Sequence, residues 1–276
     1  MTGHIRPGRG DDASRIPAII RAQGIEGFRS TRALAWRLGL VAEQSLDLDD
    51  YLLRAKTECR DSGISERPLP KPLWRRLRPR PPYEHPRFPV LDNRPGIISG
   101  QALAEFEARA SSVRMLMELT APSESMTAGF RSAKEILSLH GRLFGDVYAW
   151  AGQVRTVGIA KGGVRFAAPP DIIDHLESAV RSLARLGESD SPGALASFLA
   201  HYLWAHPFRE GNGRTATTIL MCLTGPAGVA GIEPEEWHEA SRRSLAVPGH
   251  PNPEPWLAIT SRLITAATPP PKGNTP

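Results

Sequence analysis

His206-Pro207-Phe208-Arg209-Glu210-Gly211-Asn212-Gly213-Arg214 lies between two apolar helical stretches, one carrying Phe198, Leu199, Tyr202 and Leu203, the other Thr218, Ile219 and Met221. Pro207 disfavours the α conformation at His206, so the first helix is predicted to stop there. Gly211 and Gly213 permit backbone geometries closed to other residues, and they fall where the next helix begins. Amide hydrogens at a helix start point outward and attract anions, phosphate above all. Arg214 adds a forked cation suited to phosphate oxygens, and Glu210 supplies a hard oxygen ligand for Mg²⁺. His206 titrates near neutrality and can accept a proton from an attacking hydroxyl. A base, a metal ligand, an anion cradle and a cation so close together point to nucleotide-dependent group transfer. Glycine pairs and a histidine beside an apolar helix also have purely structural readings, and spacing alone leaves the choice open.

Working outward, apolar residues recur at helical intervals in Gln101–Leu119, Ser132–Phe144, Asp171–Leu186, Leu195–Trp204, Thr215–Leu223 and Glu254–Ala266. The exception is Val154–Pro169, VRTVGIAKGGVRFAAP, where two β-prone runs flank Gly162-Gly163 and predict a hairpin. Ahead of these lie three short helices. The first bears Ile16, Ile19, Ile20 and Gln23, with Ser14 as its cap and Pro17 in its first turn; the second bears Leu34, Leu38 and Val41. Ser45–Asp50 caps the third, which carries Tyr51, Leu52 and Leu53. Three helices of that size bury little core alone, so they are expected to lean on the rest of the chain.

The nine-residue stretch resembles the Fic signature, H-x-F-x-(D/E)-G-N-G-R-x-x-R, and every fixed position from His206 to Arg214 agrees. Upstream, Leu143–Gly152 followed by Arg155-Thr156 resembles the approach to the Fic flap, and KGGVRFAAP resembles the flap itself. The resemblance covers about residues 96–265. It implies a mainly α fold, a Fic helical bundle with a β-hairpin flap. It also implies a protein adenylyltransferase that moves AMP from ATP to a Ser, Thr or Tyr hydroxyl. His206 would be the base, Phe208 would anchor the loop, and Glu210 would bind Mg²⁺. Gly211, Asn212 and Gly213 would cradle phosphates, Arg214 would hold the β-phosphate, and Thr217 would be the last of the nucleotide-binding positions. The flap, Ile159, Ala160, Lys161, Gly162, Gly163, Val164, Arg165 and Phe166, would receive the target by strand addition. Enzymes of DNA topology are targets of related bacterial toxins, and a topoisomerase is the first target the resemblance suggests.

The chain departs from the family at its last arginine, where Thr217 stands. That arginine grips the γ-phosphate, so its loss forfeits a contact worth roughly 1.5–3 kcal/mol. Weak ATP binding, another nucleotide or phosphate group, or an impaired binding module are the alternatives this opens. Arg21–Gly27 in turn resembles the inhibitory motif of Fic antitoxins, (S/T)-x-x-x-E-(G/N): Glu26 and Gly27 agree, whereas Ala22 replaces the hydroxyl residue. By resemblance, residues 1–60 form a small helical antitoxin-like domain that inhibits a toxin-like enzyme from within the same chain. With Thr217 the usual partner of Glu26 is missing, so either Glu26 approaches Arg214 or the brake is altered.

Composition sets the outer limits. The chain has 276 residues, 41% hydrophobic and 23% charged, which is ordinary for a globular protein. It shows neither an apolar run long enough for a bilayer nor an apolar block after its N-terminal basic residues, so no membrane span or secretory signal is expected. Cys59 and Cys222 are the only cysteines, and a cytoplasmic home is the expectation. Eight basic residues against three acids between Glu66 and Pro95 account for the whole net charge of +5. That stretch is dense in proline and is read as an extended linker over residues 61–95, with Trp74, Tyr83 or Phe88 able to dock on a neighbour. Nucleic-acid binding through its arginines is the lesser reading. The expected organisation is 1–60 inhibitory, 61–95 linker, 96–268 Fic and 269–276 a disordered tail. His201 is expected on a helix surface or in packing and Cys222 in the core, while His238 and His250 have no assignment.

Overall fold

Helices form where apolar residues recur every third or fourth position, and turns fall at glycine and proline. The computed structural model describes residues 12–61, 68–76, 80–120, 130–161, 163–186 and 191–267. Helices α1 (Asp12–Ile25), α2 (Arg32–Ala42) and α3 (Leu48–Asp61) come first. Thr31 caps α2 by accepting from the Leu34 amide at 3.2 Å, and Asp47 caps α3 by accepting from the Asp49 amide at 2.8 Å. Helix α1 starts before the expected Ser14 cap, which places Pro17 inside it rather than in its first turn. An internal proline forfeits an amide bond. Burial of Ala18, Ile19, Ala22 and Ile25, none more than 1% exposed, offsets that loss.

As the size argument requires, these helices build no separate core. Ile19, Ile25, Leu38 and Tyr51 belong to one hydrophobic cluster shared with the later helices. Helix α3 packs on the long α5 (Gly100–Thr120), while α1 packs on α5 and on helices near the C-terminus.

The proline-rich arm departs from the extended reading. Pro72 opens a single helical turn, α4 (Leu73–Arg76), because its missing amide is one that a helix start leaves unpaired anyway. Further on, the arm folds back on itself. The His85 amide donates to Val90 O at 2.7 Å and the Asp92 amide to Tyr83 O at 2.8 Å, while Lys71 pairs with Glu84 at 2.6 Å. Tyr83 docks edge-on against Trp150, and its hydroxyl accepts from the Thr156 amide at 2.9 Å. Of the three aromatic residues named for docking, Trp74 stays 55% exposed.

The remaining helices are α6 (Ala133–Phe144), α7 (Ile172–Leu183), α8 (Ser191–Ala205), α9 (Asn212–Thr224), α10 (Pro226–Ala230), α11 (Pro234–Ser244) and α12 (Leu257–Ala267). Helix α8 is apolar around most of its circumference and accordingly sits in the middle, between α7 and α12. The expected hairpin is present and small: β1 (Ala160–Lys161) pairs antiparallel with β2 (Val164–Arg165), Ala160 opposite Arg165. Gly163 takes φ +82° in its turn. Gly162, the first eleven residues and the tail at 269–276 lie outside the described residues. Among the described residues no helix is long and apolar enough to cross a membrane.

Candidate active site

Helix α8 ends at Ala205, as Pro207 dictates, and His206 takes φ +42°, a left-handed conformation that costs a non-glycine residue energy. Arg155 holds it there. Its amide donates to Pro207 O at 2.8 Å and its Nε to His206 O at 2.8 Å. The same guanidinium reaches Val157 O and Ala167 O, both at 2.6 Å, on either side of the flap. One side chain, 1% exposed, therefore ties the loop to both ends of the hairpin. Among the described residues its guanidinium hydrogen bonds all go to carbonyl oxygens, and burial lowers its pKa.

The rest of the loop is closed by side chains. Asn212 Oδ1 accepts from the Phe208 amide at 3.0 Å, and its Nδ2 donates to Phe208 O at 2.8 Å. Phe208 is fully buried, as the resemblance implies, and stacks at 3.6 Å on His140, which stacks on Phe144 in turn. His140 Nδ1 accepts from the Gly152 amide at 2.9 Å, which makes Nε2 the protonated nitrogen; it donates to Glu210 O at 3.0 Å. Burial pushes the His140 pKa down to about 3. Gly211 (φ +83°) passes so close to Phe144 that a Cβ there would strike the ring. These contacts answer why the loop needs its glycine and asparagine: Asn212 serves as a staple, while Gly211 permits close approach.

His206 opens onto a cavity of about 410 Å³ between the flap, the loop and α11. Its ring is half-buried and stacks on Phe166 of the flap at 3.8 Å, and its Nδ1 has no partner among the described residues. Burial, and after it the positive charges of Lys161 and Arg155, push its pKa down to about 3. The imidazole is thus neutral at ordinary pH, the form that accepts a proton. Ile159, Ala160, Lys161, Val164 and Phe166 of the flap line this cavity, and Arg165 points outward, exposed. Trp237 and Leu245 furnish an apolar wall opposite.

The start of α9 is occupied by the protein's own groups. Glu210 Oε1 accepts from the Gly211 amide at 3.0 Å. Glu26 brings its carboxylate against Gly213 so closely that a Cβ at that position would lie inside it. Glu26 also lies 3.9 Å from Lys161 Nζ. An anion therefore sits where the sequence predicts phosphate to sit, and it belongs to the turn that follows α1. That turn is held in place: the His238 ring nitrogen bonds Ile25 O at 2.7 Å, Arg21 pairs with Glu233 at 3.0 Å, and Gln23 bonds Ser111 and Ser112, each at 3.0 Å.

Glu26 does not take Arg214. The buried guanidinium pairs with Glu107 of α5, whose other oxygen accepts from the Tyr148 hydroxyl. It also lies 4.8 Å over the Phe144 ring and 3.6 Å from Glu210. Burial pushes the Glu107 carboxyl up against the opposing pull of Arg214, and the acids around Arg214 raise its pKa against the opposing effect of burial. A second cavity of about 450 Å³ lies on this side, lined by Glu107, Arg214, Tyr148 and Gln23, and bordered by Glu26, Lys161 and Glu210. Thr217 corrects the sequence reading. It is fully buried, donates to Arg214 O at 3.1 Å and lines neither cavity. Its side chain is too short to leave the core, and the helix backbone satisfies its hydroxyl.

Among the described residues no group of three or more His, Cys, Asp or Glu is arranged to hold a metal ion. Mg²⁺ bound with phosphates needs only one or two carboxylates, and half-buried Glu210 on the cavity wall fits that role.

Glu107, His140 and the whole of α11 were missed as site residues. Glu107 carried a signal: a carboxylate on the buried stripe of α5, beside Leu103 and Phe106, demands a partner. Helix α11 carried one as well, with Pro234 at its first position, Glu235 and Glu236 in its first turn and Arg242 and Arg243 in its last.

Known proteins with the same features bring the geometry into context. The Fic/DOC family model matches residues 130–223, which include the flap and the His206 loop. A probable protein adenylyltransferase, y4lH of Sinorhizobium fredii, is 34% identical over 176 residues, 60% of this chain and 88% of that relative. The protein adenylyltransferase VbhT of Bartonella schoenbuchensis is 33% identical over 153 residues, 53% of this chain and 31% of its own length. Among solved structures, the N-terminal Fic domain of a Bep effector from Bartonella sp. AR 15-3 superposes with TM-score 0.55 at 20% identity, covering 65% of this chain and 89% of that one. At that identity the likeness establishes the fold, a helical Fic bundle with a hairpin flap. The loop, the flap and the span of the matching relatives agree, and the chain belongs to the Fic/DOC family of nucleotidyltransferases.

Proposed function

We propose that the protein is a protein adenylyltransferase that transfers AMP from ATP to a Ser, Thr or Tyr hydroxyl of a target protein, and that Glu26 holds it idle as an intramolecular, antitoxin-like inhibitor. The observation carrying both halves is the Glu26 carboxylate seated against Gly213, within the anion cradle beside a neutral His206. A carboxylate there excludes a phosphate by occupancy and by like charge. A Bartonella quintana Fic domain of the same fold, 24% identical, is described with bound ADP, which supports a nucleotide in this site.

The apolar wall of Trp237 and Leu245 suits a nucleobase. Once Glu26 is displaced, the amides of the α9 start face the phosphates, and His206 takes the proton of the target hydroxyl. That oxygen bonds to the α-phosphorus as the α–β phosphate linkage breaks, and pyrophosphate leaves. Positioning and charge stabilisation carry most of the rate. Glu210 would hold Mg²⁺, which when bound neutralises phosphate charge. The target segment pairs with the exposed edge of β1–β2, where main-chain bonds tolerate varied sequence.

The test uses the full chain with Glu26→Gly and ATP labelled at the α- or γ-position. Label from α-labelled ATP alone, lost on adding His206→Ala, is expected; label from γ-labelled ATP defines a phosphotransferase instead. A second reading, a nucleotide-binding module of impaired chemistry or a transferase of another nucleotide, is favoured by the buried Thr217 and the engaged Arg214. ATP binding without labelling by the Glu26→Gly chain decides for impaired chemistry, and labelling by a different nucleotide decides for the other donor.

A further inference from the structure

Arg214 is buried at 4% exposure, yet its five N–H donors are unevenly used. Glu107 takes Nη2, Ser111 lies 3.5 Å from Nη1, and Nε has no partner among the described residues. A buried donor left unmade is costly, and in this protein it belongs to a residue lining the second cavity beside the phosphate cradle. Glu107 in turn is fixed from behind by the Tyr148 hydroxyl, and the Phe144 ring lies under the guanidinium. The carboxylate sits mid-helix in α5, within the shared core, so it does not travel with Glu26.

We infer that Glu107, backed by Tyr148, is a positioning residue: it fixes Arg214 by one edge so that the unpaired Nε–H stays free for the phosphate chain of the nucleotide. Resting on the nucleotide reading above, this assigns a role to a residue outside the signature loop. It also explains how one arginine serves without a second at position 217. An arginine fixed in advance by one edge loses little freedom on gripping an anion with the other.

The experiment is a double-mutant cycle read by calorimetric titration of ATP with Mg²⁺, and of pyrophosphate alone, into the full Glu26→Gly chain. Glu107→Ala and Arg214→Ala are each expected to weaken binding by about tenfold, the size of one charge-assisted bond. Combining them is expected to weaken it no further than Arg214→Ala alone. Glu107→Gln, which retains an oxygen for the guanidinium, is expected to recover most of the affinity. Should Glu107→Ala not fold, Glu107→Asp keeps the charge, withdraws it by one methylene and takes its place in the cycle. Additive losses would overturn the proposal, since a purely structural role lowers stability without coupling to Arg214. Tighter binding by Glu107→Gln would overturn it too, by making the carboxylate a competitor of phosphate. A Glu26→Gly chain that binds neither probe sinks the nucleotide reading itself, an outcome separate from either of these.

Discussion

Two carboxylates converge on the first turn of α9 from different helices. Glu26 lies in the turn just after α1, meets Gly213 and faces a largely exposed lysine at 3.9 Å. Glu107 is planted in the middle of the 21-residue α5, 6% exposed, between a buried arginine and a buried tyrosine. The same chemical group is aimed at the same helix start from the end of a helix in one case and from a buried helix interior in the other. What separates them is burial: a carboxylate at a helix end with a solvated partner is released at little cost, whereas one buried with a guanidinium is not.

The contrast breaks most readily on stability. Glu107→Ala leaves Arg214 buried without its main counter-charge and is expected to cost about 3–5 kcal/mol, against less than about 1 kcal/mol for Glu26→Ala. Urea midpoints of the two variants measure this, and equal losses would erase the distinction. Deleting residues 1–61 is expected to destabilise the chain far more than Glu26→Gly does, because Ile19, Ile25 and Leu38 fill the shared core. Thermal melts of the two forms compare a lost core with a lost carboxylate.

Acid sharpens the picture at intermediate size. His140 and His206 are neutral in the fold with pKa values near 3, whereas an unfolded imidazole takes a proton near 6.5. Between these values the unfolded chain binds more protons, so stability is complete above about pH 6.5 and falls as pH drops toward 3. Each histidine contributes up to about 1.4 kcal/mol per pH unit in that window, and denaturant midpoints at pH 7 and pH 5 measure the slope. The smallest effect concerns Lys161. Its exposed pairing with Glu26 is worth roughly 0.2–1 kcal/mol, so Lys161→Ala is expected to raise basal labelling by less than about fivefold. No change would mean that Lys161 does not help to hold Glu26.

Much of this was legible in the residues themselves. Pro207 ended α8, the glycines opened α9, and the glycine pair marked the hairpin, since each of these depends on local backbone geometry. The helix bearing Leu34, Leu38 and Val41 buried those residues as their spacing required. Contacts made across the fold were harder to see. Nothing near Glu107 in sequence announces Arg214, and nothing near His238 announces Ile25. Position 217 misled for a related reason: alignment with the signature names the position, but the length of the side chain decides whether it reaches the cavity.

The first three helices share their core with the catalytic body. An inhibitor supplied by a separate molecule lets go on dilution, whereas one folded into the same chain stays at a fixed local concentration. On the inhibitory role proposed for Glu26, the idle fraction would be independent of how many copies a cell makes, and fraying of the single turn after α1 would wake the enzyme.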